Sequence, residues 1–518
     1  MPRLLIGVDS LNIGCIKIMK DNADNPYSTP DTDYGKFYFN SKWDMNVRFV
    51  GQDLQSVQGG TFRSWYPAGT GPSNFKRLKF GDNLGYNNVF WKNEFWQDLG
   101  QLDYELPLFD LKPIASNGWT IYCSIQRSTG STDTKWYNYS MLYAGWAKDY
   151  YLGNGSSFPL DGTVFTALAA YCETSTWGPG TSVQAIVYNL PGDDTAILYP
   201  AATPVPGQKV VQITKDFCRV AKPGYAVTDI AAKLAFDSAT RPCKVVASGD
   251  IAIPSGLTVF DFTDKLAGIN VDTASLVVDV LQYKGSTITF PCSIPNDEDD
   301  FGAAYRVNGT TLEFSNGGSA VRARFIVIAQ DNSAPSVGSN KVFRQVNIGG
   351  VDVFQFIRPG AADPPTLADV IIDSRWPCLQ IIKEGWFDIP ASGGAAANTD
   401  ITFDSTGLFP FIKFHTVHPA GLLPYSNSLG TVNSPAQVSK IIRLPQAAAG
   451  FYRNNGGPKN AYISGETAIC QLTTNRARFV TYRGGPYRIF DNGGGDIVTR
   501  AVRNPATKIR YYIFGIPA

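Results

Sequence analysis

Apolar and polar residues alternate along this chain in short runs, each closed by Gly, Pro, Asn or Asp. CIKIM at 15–19, VRARFIVIA at 321–329 and IRYYIFGI at 509–516 are examples, rich in β-branched and aromatic residues. A period of two places successive side chains on opposite faces of a strand, so these runs predict short β-strands separated by turns. Two stretches, VFTALAAYC at 164–172 and residues 434–440, admit a helix. No apolar run approaches the ~20 residues that cross a bilayer as a helix. The opening MPRLLIGVDSLNIG carries Asp9 and an apolar run too short for a signal peptide, so export by that route is not expected.

The runs recur in a fixed order in three places. Cys15 to Gly51, Cys218 to Gly249 and Val353 to Gly385 each open on a strand-like run ending in a basic residue: Lys20, Lys222 and Arg358. Pro-Gly follows in the second and third copies. A polar stretch leads to an apolar run closed by Asn40-Ser41, Asp237-Ser238 or Asp373-Ser374, and a last apolar run ends in Gly. Ser-Lys-Trp at 41–43 matches Ser-Arg-Trp at 374–376, and Pro-Cys at 242–243 matches 377–378. The frame predicts strand, turn, strand, tight turn, strand, with the Asx-Ser side chains capping nearby backbone N–H groups. A second block, Tyr-Arg-aliphatic followed by Phe-(Ser/Asp)-Asn-Gly-Gly and a strand, spans Tyr305 to Asp331 and Tyr487 to Pro517, with Thr181 to Asp194 as its weaker match. Asn-Gly-Gly predicts a hairpin, because the turn needs positive φ.

These blocks predict a mainly β protein of three tandem sandwich-like or barrel-like modules. They are 1–200 with an aromatic-rich insertion, a compact 205–331, and 340–518 with long loops, joined by a Pro-rich linker at 198–208 and a second linker at 331–340. The length of 518 residues fits three or four domains. Charged residues make up 17% and the net charge is +1, which speaks against a nucleic-acid coat. None of the eight Cys has CxxC spacing, so buried thiols packed as small hydrophobes are the expectation.

Little in the sequence carries chemistry. There is no phosphate loop, dinucleotide fingerprint, HExxH, EF-hand loop or G-x-S-x-G elbow, and enzymatic activity and a cofactor are not expected. The two His, His415 and His418, are the weak metal candidates. On a strand their spacing of three sets them on opposite faces, and an oligomer axis could complete a shell. Carboxylates cluster at Asp31 and Asp33, at Asp297 to Asp300, and at Asp491 and Asp496, without a context that singles out an acid pair. Trp91, Trp96, Trp136, Tyr139, Tyr143 and Trp146 in the first insertion are candidates for an interface or for glycan stacking, against the plainer reading as core. The basic residues Arg476, Arg478, Arg483, Arg488, Arg500, Arg503, Lys508 and Arg510 alternate with apolar ones, a pattern of salt bridges or a solvated strand face.

GKFYFNSKW at 35–43, AKLAFDSATRPCKVV at 232–246 and the closing IRYYIFGIPA resemble virion structural proteins of tailed bacteriophages, of the tail-tip, tail-fibre or decoration type. The resemblance implies a particle protein assembled in the host cytoplasm, in contact with other copies of itself and other virion proteins, and able to meet a host surface glycan or protein. A tail component is the leading expectation. A head-decoration protein and a polysaccharide-degrading or glycan-binding tail enzyme are the alternatives.

Overall fold

A computed structural model describes residues 3–42 save 34–35, most of 196–290, 303–329, 336–418 and 470–481, and 507–517. Across 49–191, 421–463 and 487–500 it describes the backbone of the strands named below, together with Trp119 and Leu190. The chain is mainly β, in antiparallel sheets. The α-helix among the described residues is the single turn Thr263–Leu266.

Both stretches that admitted a helix contain strands. Ala169–Glu173 lies antiparallel to Asn88–Lys92, and Gln437–Arg443 pairs with Phe95–Asp98 and with residues 416–418. Val438, Ile441 and Ile442 are β-branched, and ladder partners on two sides decide the outcome that local propensity left open. Residues 164–168 and 434–436 lie outside the described residues.

Each repeated segment builds a three-stranded sheet around its opening run. The first sheet joins Leu4–Val8, Gly14–Met19 and Phe37–Asn40. The second joins Val211–Ile213, Cys218–Ala221 and Leu234–Asp237, and the third joins Phe343–Ile348, Val351–Ile357 and Val370–Asp373. The registers coincide: Ile18 faces Phe39, Val220 faces Phe236, Phe356 faces Ile372, and a bulge follows that rung in all three. One residue later the N–H groups of Met19, Ala221 and Ile357 donate to the carbonyls of Arg3, Val210 and Val342. After that, Lys20, Lys222 and Arg358 donate to Lys36, Lys233 and Asp369. The Pro-Gly pairs form turns in which Tyr225 and Ala361 donate back to Lys222 and Arg358, with Gly224 at φ 81° and Gly360 at φ 80° supplying the positive φ the turn demands.

Two parts of the sequence frame divide differently in space. The first strand of each sheet precedes the repeated segment, and the last apolar run leaves for a second sheet. There it lies beside the closing strand of its copy. Phe49–Ser56, Ser182–Pro191 and Pro107–Ile114 form one such sheet. Lys244–Ile253, Val321–Ala329 and Leu276–Tyr283 form the next, and Gln380–Asp388, Lys508–Pro517 and Leu408–His418 the third, with the closing strand in the middle each time. In the second and third copies another sheet packs on this one. Phe314 of Thr311–Asn316 meets Phe325 with ring centroids 6.0 Å apart, and Phe479 of Arg476–Thr481 meets Tyr511 at 5.7 Å.

The first Asn-Gly-Gly is therefore no hairpin: it carries the chain from Thr311–Asn316 to Val321–Ala329 in a different sheet. Buried Asn316 donates instead to the carbonyls of Ile253 and Ser319. The hairpin of that block turns at Gly309, φ 60°. The second Asn-Gly-Gly does lie between paired strands, Tyr487–Phe490 and Ile497–Arg500.

Apolar packing is continuous across the copies. One cluster gathers Ile16, Ile18 and Phe39 with Val220, Ala235 and Phe236 and with Phe356, Ile371 and Ile372. The larger core joins Leu190 to residues of the second and third copies. Strands cross over as well. Ile288–Phe290 of the second copy extends the sheet of Ala468–Leu472, and Phe95–Asp98 of the first copy pairs in the third.

Candidate functional site

The residues with most chemistry among the described ones sit on one rung of each small sheet, the rung before the apolar one. It pairs Lys17 with Asn40, Arg219 with Asp237 and Gln355 with Asp373. The second member is the Asx of the Asx-Ser pair. In the second sheet Arg219 Nε donates to Asp237 at 3.1 Å, and in the third Gln355 Nε2 donates to Asp373 at 2.6 Å.

In the first sheet this rung grows into a buried ion network. Lys17 Nζ lies 2.9 Å from Asp9 and 2.8 Å from Asp31, and Lys42 Nζ lies 2.6 Å from Asp9 and 2.5 Å from Asp31. Asn40 Nδ2 donates to Asp31 at 2.8 Å, and the N–H groups of Leu11 and Ile13 donate to Asp9. Burial by itself would raise the Asp9 carboxyl. Hydrogen bonds from Lys42, Lys17 and the Ile13 backbone outweigh it and hold the pKa at about 2. Asp31 is likewise lowered against burial by Lys17, Lys42 and Asn40, and Lys17 is raised against burial by Asp31 and Asp9. Two carboxylates thus face two ammonium groups, so the buried charge is compensated. Asp9 and Asp31 are thus held as carboxylates and Lys17 as an ammonium across neutrality. Burial, followed by the Asp9 charge, pushes the neighbouring Cys15 thiol up to about 11, out of the reactive range.

The Asx-Ser pair works in two directions. Asn40 and Asp373 accept from the N–H groups of Lys42 and Arg375 two residues on, closing the local turn. The serines reach across instead: Ser41 Oγ accepts from Ile16 N–H and Ser374 Oγ from Phe354 N–H, while Ser41 and Ser374 N–H donate to the same two residues' carbonyls. The following Arg-Trp joins copies. Arg375 is held by Asp373 and donates to the carbonyls of Asp264 and Ala267, and Trp376 Nε1 donates to Lys265 O at 2.9 Å. These groups satisfy the carbonyl end of the short helix, where a cation is favoured.

The sequence-predicted residues are dispersed. Trp91 lies in Asn88–Lys92, in register with Phe80 and Ala170. Trp96 faces Ile441, in the pairing between the first and third copies. Trp136 and Tyr139 lie in Thr134–Ser140, and Trp146 opens the neighbouring strand opposite Ser140. Tyr143 lies outside the described residues, as do Asp297 to Asp300, Asp491, Asp496, Arg483 and Arg503. His415 and His418 share the strand Leu408–His418, in register with Arg510 and Ile441. Among the described residues no three His, Cys, Asp or Glu side chains gather as a metal shell. Asp31 belongs to the ion network and Asp33 pairs with Lys36. Three of the basic C-terminal residues have internal partners: Arg478 pairs with Asp400, buried Arg510 with Glu384, and Lys508 lies over the Trp386 ring at 3.9 Å.

Sequence reasoning missed Asp9, Lys17 and Lys42 as a unit. The available signal was the Asx-Ser pair opposite a polar residue in an apolar run. No family model, curated protein or solved structure matches the chain.

Proposed function

We propose that the protein is a structural component of a tailed-bacteriophage virion, built into the tail as part of the tip, fibre or spike. It assembles in the host cytoplasm, meets other virion proteins, and contributes to host attachment through a surface glycan or protein. The observation that carries this reading is the packing of three diverged copies of one strand frame on a common core, with the polar rungs tied into internal pairs. Such a body offers shape and stiffness, and the chemistry described above goes into holding it. No helix among the described residues is long and apolar enough to cross a membrane.

Immunogold electron microscopy of the purified source particle tests the reading, with label expected on the tail. Label on the head would transfer the protein to the decoration class. Recovery of the protein only in particle-free fractions would refute a virion role.

A further inference from the structure

The three copies meet in one apolar cluster to which each brings the same position. Phe39 and Phe236 occupy the same rung of their sheets, and their rings meet edge to face at 5.9 Å. Phe236 meets Phe356 of the third sheet at 5.5 Å, and Ile372, which holds the Phe39 position there, joins the same cluster. The larger sheets repeat the pattern. Each has a bulge opposite its middle strand, between Ile328 and Val327 in the second copy, Phe514 and Ile513 in the third, and Tyr188 and Val187 in the first. The residue after the bulge is Ile326, Tyr512 or Ile186, and opposite it stand Asp279, Lys413 and Asp110. Asp279 and Lys413, one rung in two copies, form a buried ion pair at 2.5 Å.

Units that meet through unlike faces form rings where the rotation closes and open fibres where it does not. Like residues gathered at one point, from all three copies at one level and from two at the other, place the copies around a shared axis. From this geometry we infer that the chain is a trimer fused into one polypeptide: three copies turned about a common pseudo-threefold axis. The axis passes the Phe39, Phe236 and Ile372 cluster at one level and the Asp279–Lys413 strands at another. One chain does what three identical subunits would otherwise do, and its partner contacts are three similar faces of a single molecule. This holds whether or not the protein belongs to a virion.

Two measurements on the full chain test it. Light scattering at micromolar concentration is expected to give the mass of one chain, 56.4 kDa; a stable homotrimer would overturn the inference. Hydrogen exchange of Phe236→Ala is expected to lose protection in 14–19, 218–221 and 351–357 together, by at least about tenfold in each, because the three sheets open as one unit. Loss confined to 218–221 would show independent copies and also overturn it. If Phe236→Ala does not fold, Phe236→Leu gives the same comparison with a smaller shift. Lys413→Ala provides the check at the second level, with protection expected to fall in 276–283 as well as 408–418; a fall in 408–418 alone counts against the axis.

Discussion

The first and third small sheets share register, bulge and reciprocal serine hydrogen bonds, yet they fill their polar rung in opposite ways. The first buries two ammonium groups between two carboxylates, while the third places neutral Gln355 between Asp373 and Arg344. The frame thus holds two polar residues at this rung, bonded directly in two sheets and through Asp31 in the first, but leaves their charge open. A buried charge is tolerated where its partners are complete, and it becomes costly when one is removed.

Removing one partner is the strongest way to separate the two sheets. Asp9→Ala leaves Lys17 and Lys42 buried with Asp31 alone and is expected to cost about 3–5 kcal/mol in denaturant unfolding. A loss below about 1 kcal/mol would show that the network contributes little beyond its hydrogen bonds. Acid reaches the same network by another route. Asp9 has a depressed folded pKa, so its stabilisation is present above the ordinary carboxyl value of 3.8 and is lost as pH falls toward about 2. Hydrogen-exchange protection of 14–19, normalised to the intrinsic rate at each pH, is expected to fall across that window and to fall less in Asp9→Asn. Equal slopes in the two proteins would rule out Asp9 as the cause.

Gln355→Ala in the third sheet has a milder expected cost of about 1–2 kcal/mol, since Asp373 keeps Arg375. If it equals the loss in Asp9→Ala, the contrast between a charged and a neutral middle-strand residue on this rung fails. Gly350→Ala is expected to cost about 1–2 kcal/mol, all of it from the backbone: φ is +85° there but a Cβ meets no atom within 4 Å. A loss well above that would show the hairpin tip to be part of the core. Ser41→Ala and Ser374→Ala probe what the sheets share and are expected to cost about 1 kcal/mol each, by the same unfolding assay, with unequal losses marking the bond as local.

The β class and the repeat were legible because alternation and turn residues report on local geometry, and they recur with the sheet register at Ile18, Val220 and Phe356. The relation between copies was not legible. A repeated pattern specifies the unit, whereas rotation or translation is decided by long-range contacts such as Phe39 on Phe236. Lys17 reads as a solvent-facing residue in CIKIM, and it is buried only because Asp9 and Asp31 arrive from flanking loops. The aromatic insertion reads as core, interface or glycan surface without naming its neighbours, and Phe95–Asp98 is paired with a strand more than three hundred residues later in sequence. The Asn-Gly-Gly after Phe314 has a hairpin's sequence, and the buried Asn316 side chain carries the chain to another sheet instead.

In every copy the middle strand of the larger sheet is the last of its three to be synthesised: Ser182–Pro191, Val321–Ala329 and Lys508–Pro517. Its neighbours leave the ribosome first and lack this shared partner until it emerges. At translation rates of roughly 5–20 residues per second, Gln380–Asp388 waits at least several seconds for Lys508–Pro517. During that interval an apolar strand edge is exposed, a hazard for pairing with a neighbouring nascent chain. A message truncated before the codons for Lys508–Pro517 leaves Gln380–Asp388 and Leu408–His418 without the strand between them, so a shortened product keeps those edges open to pairing.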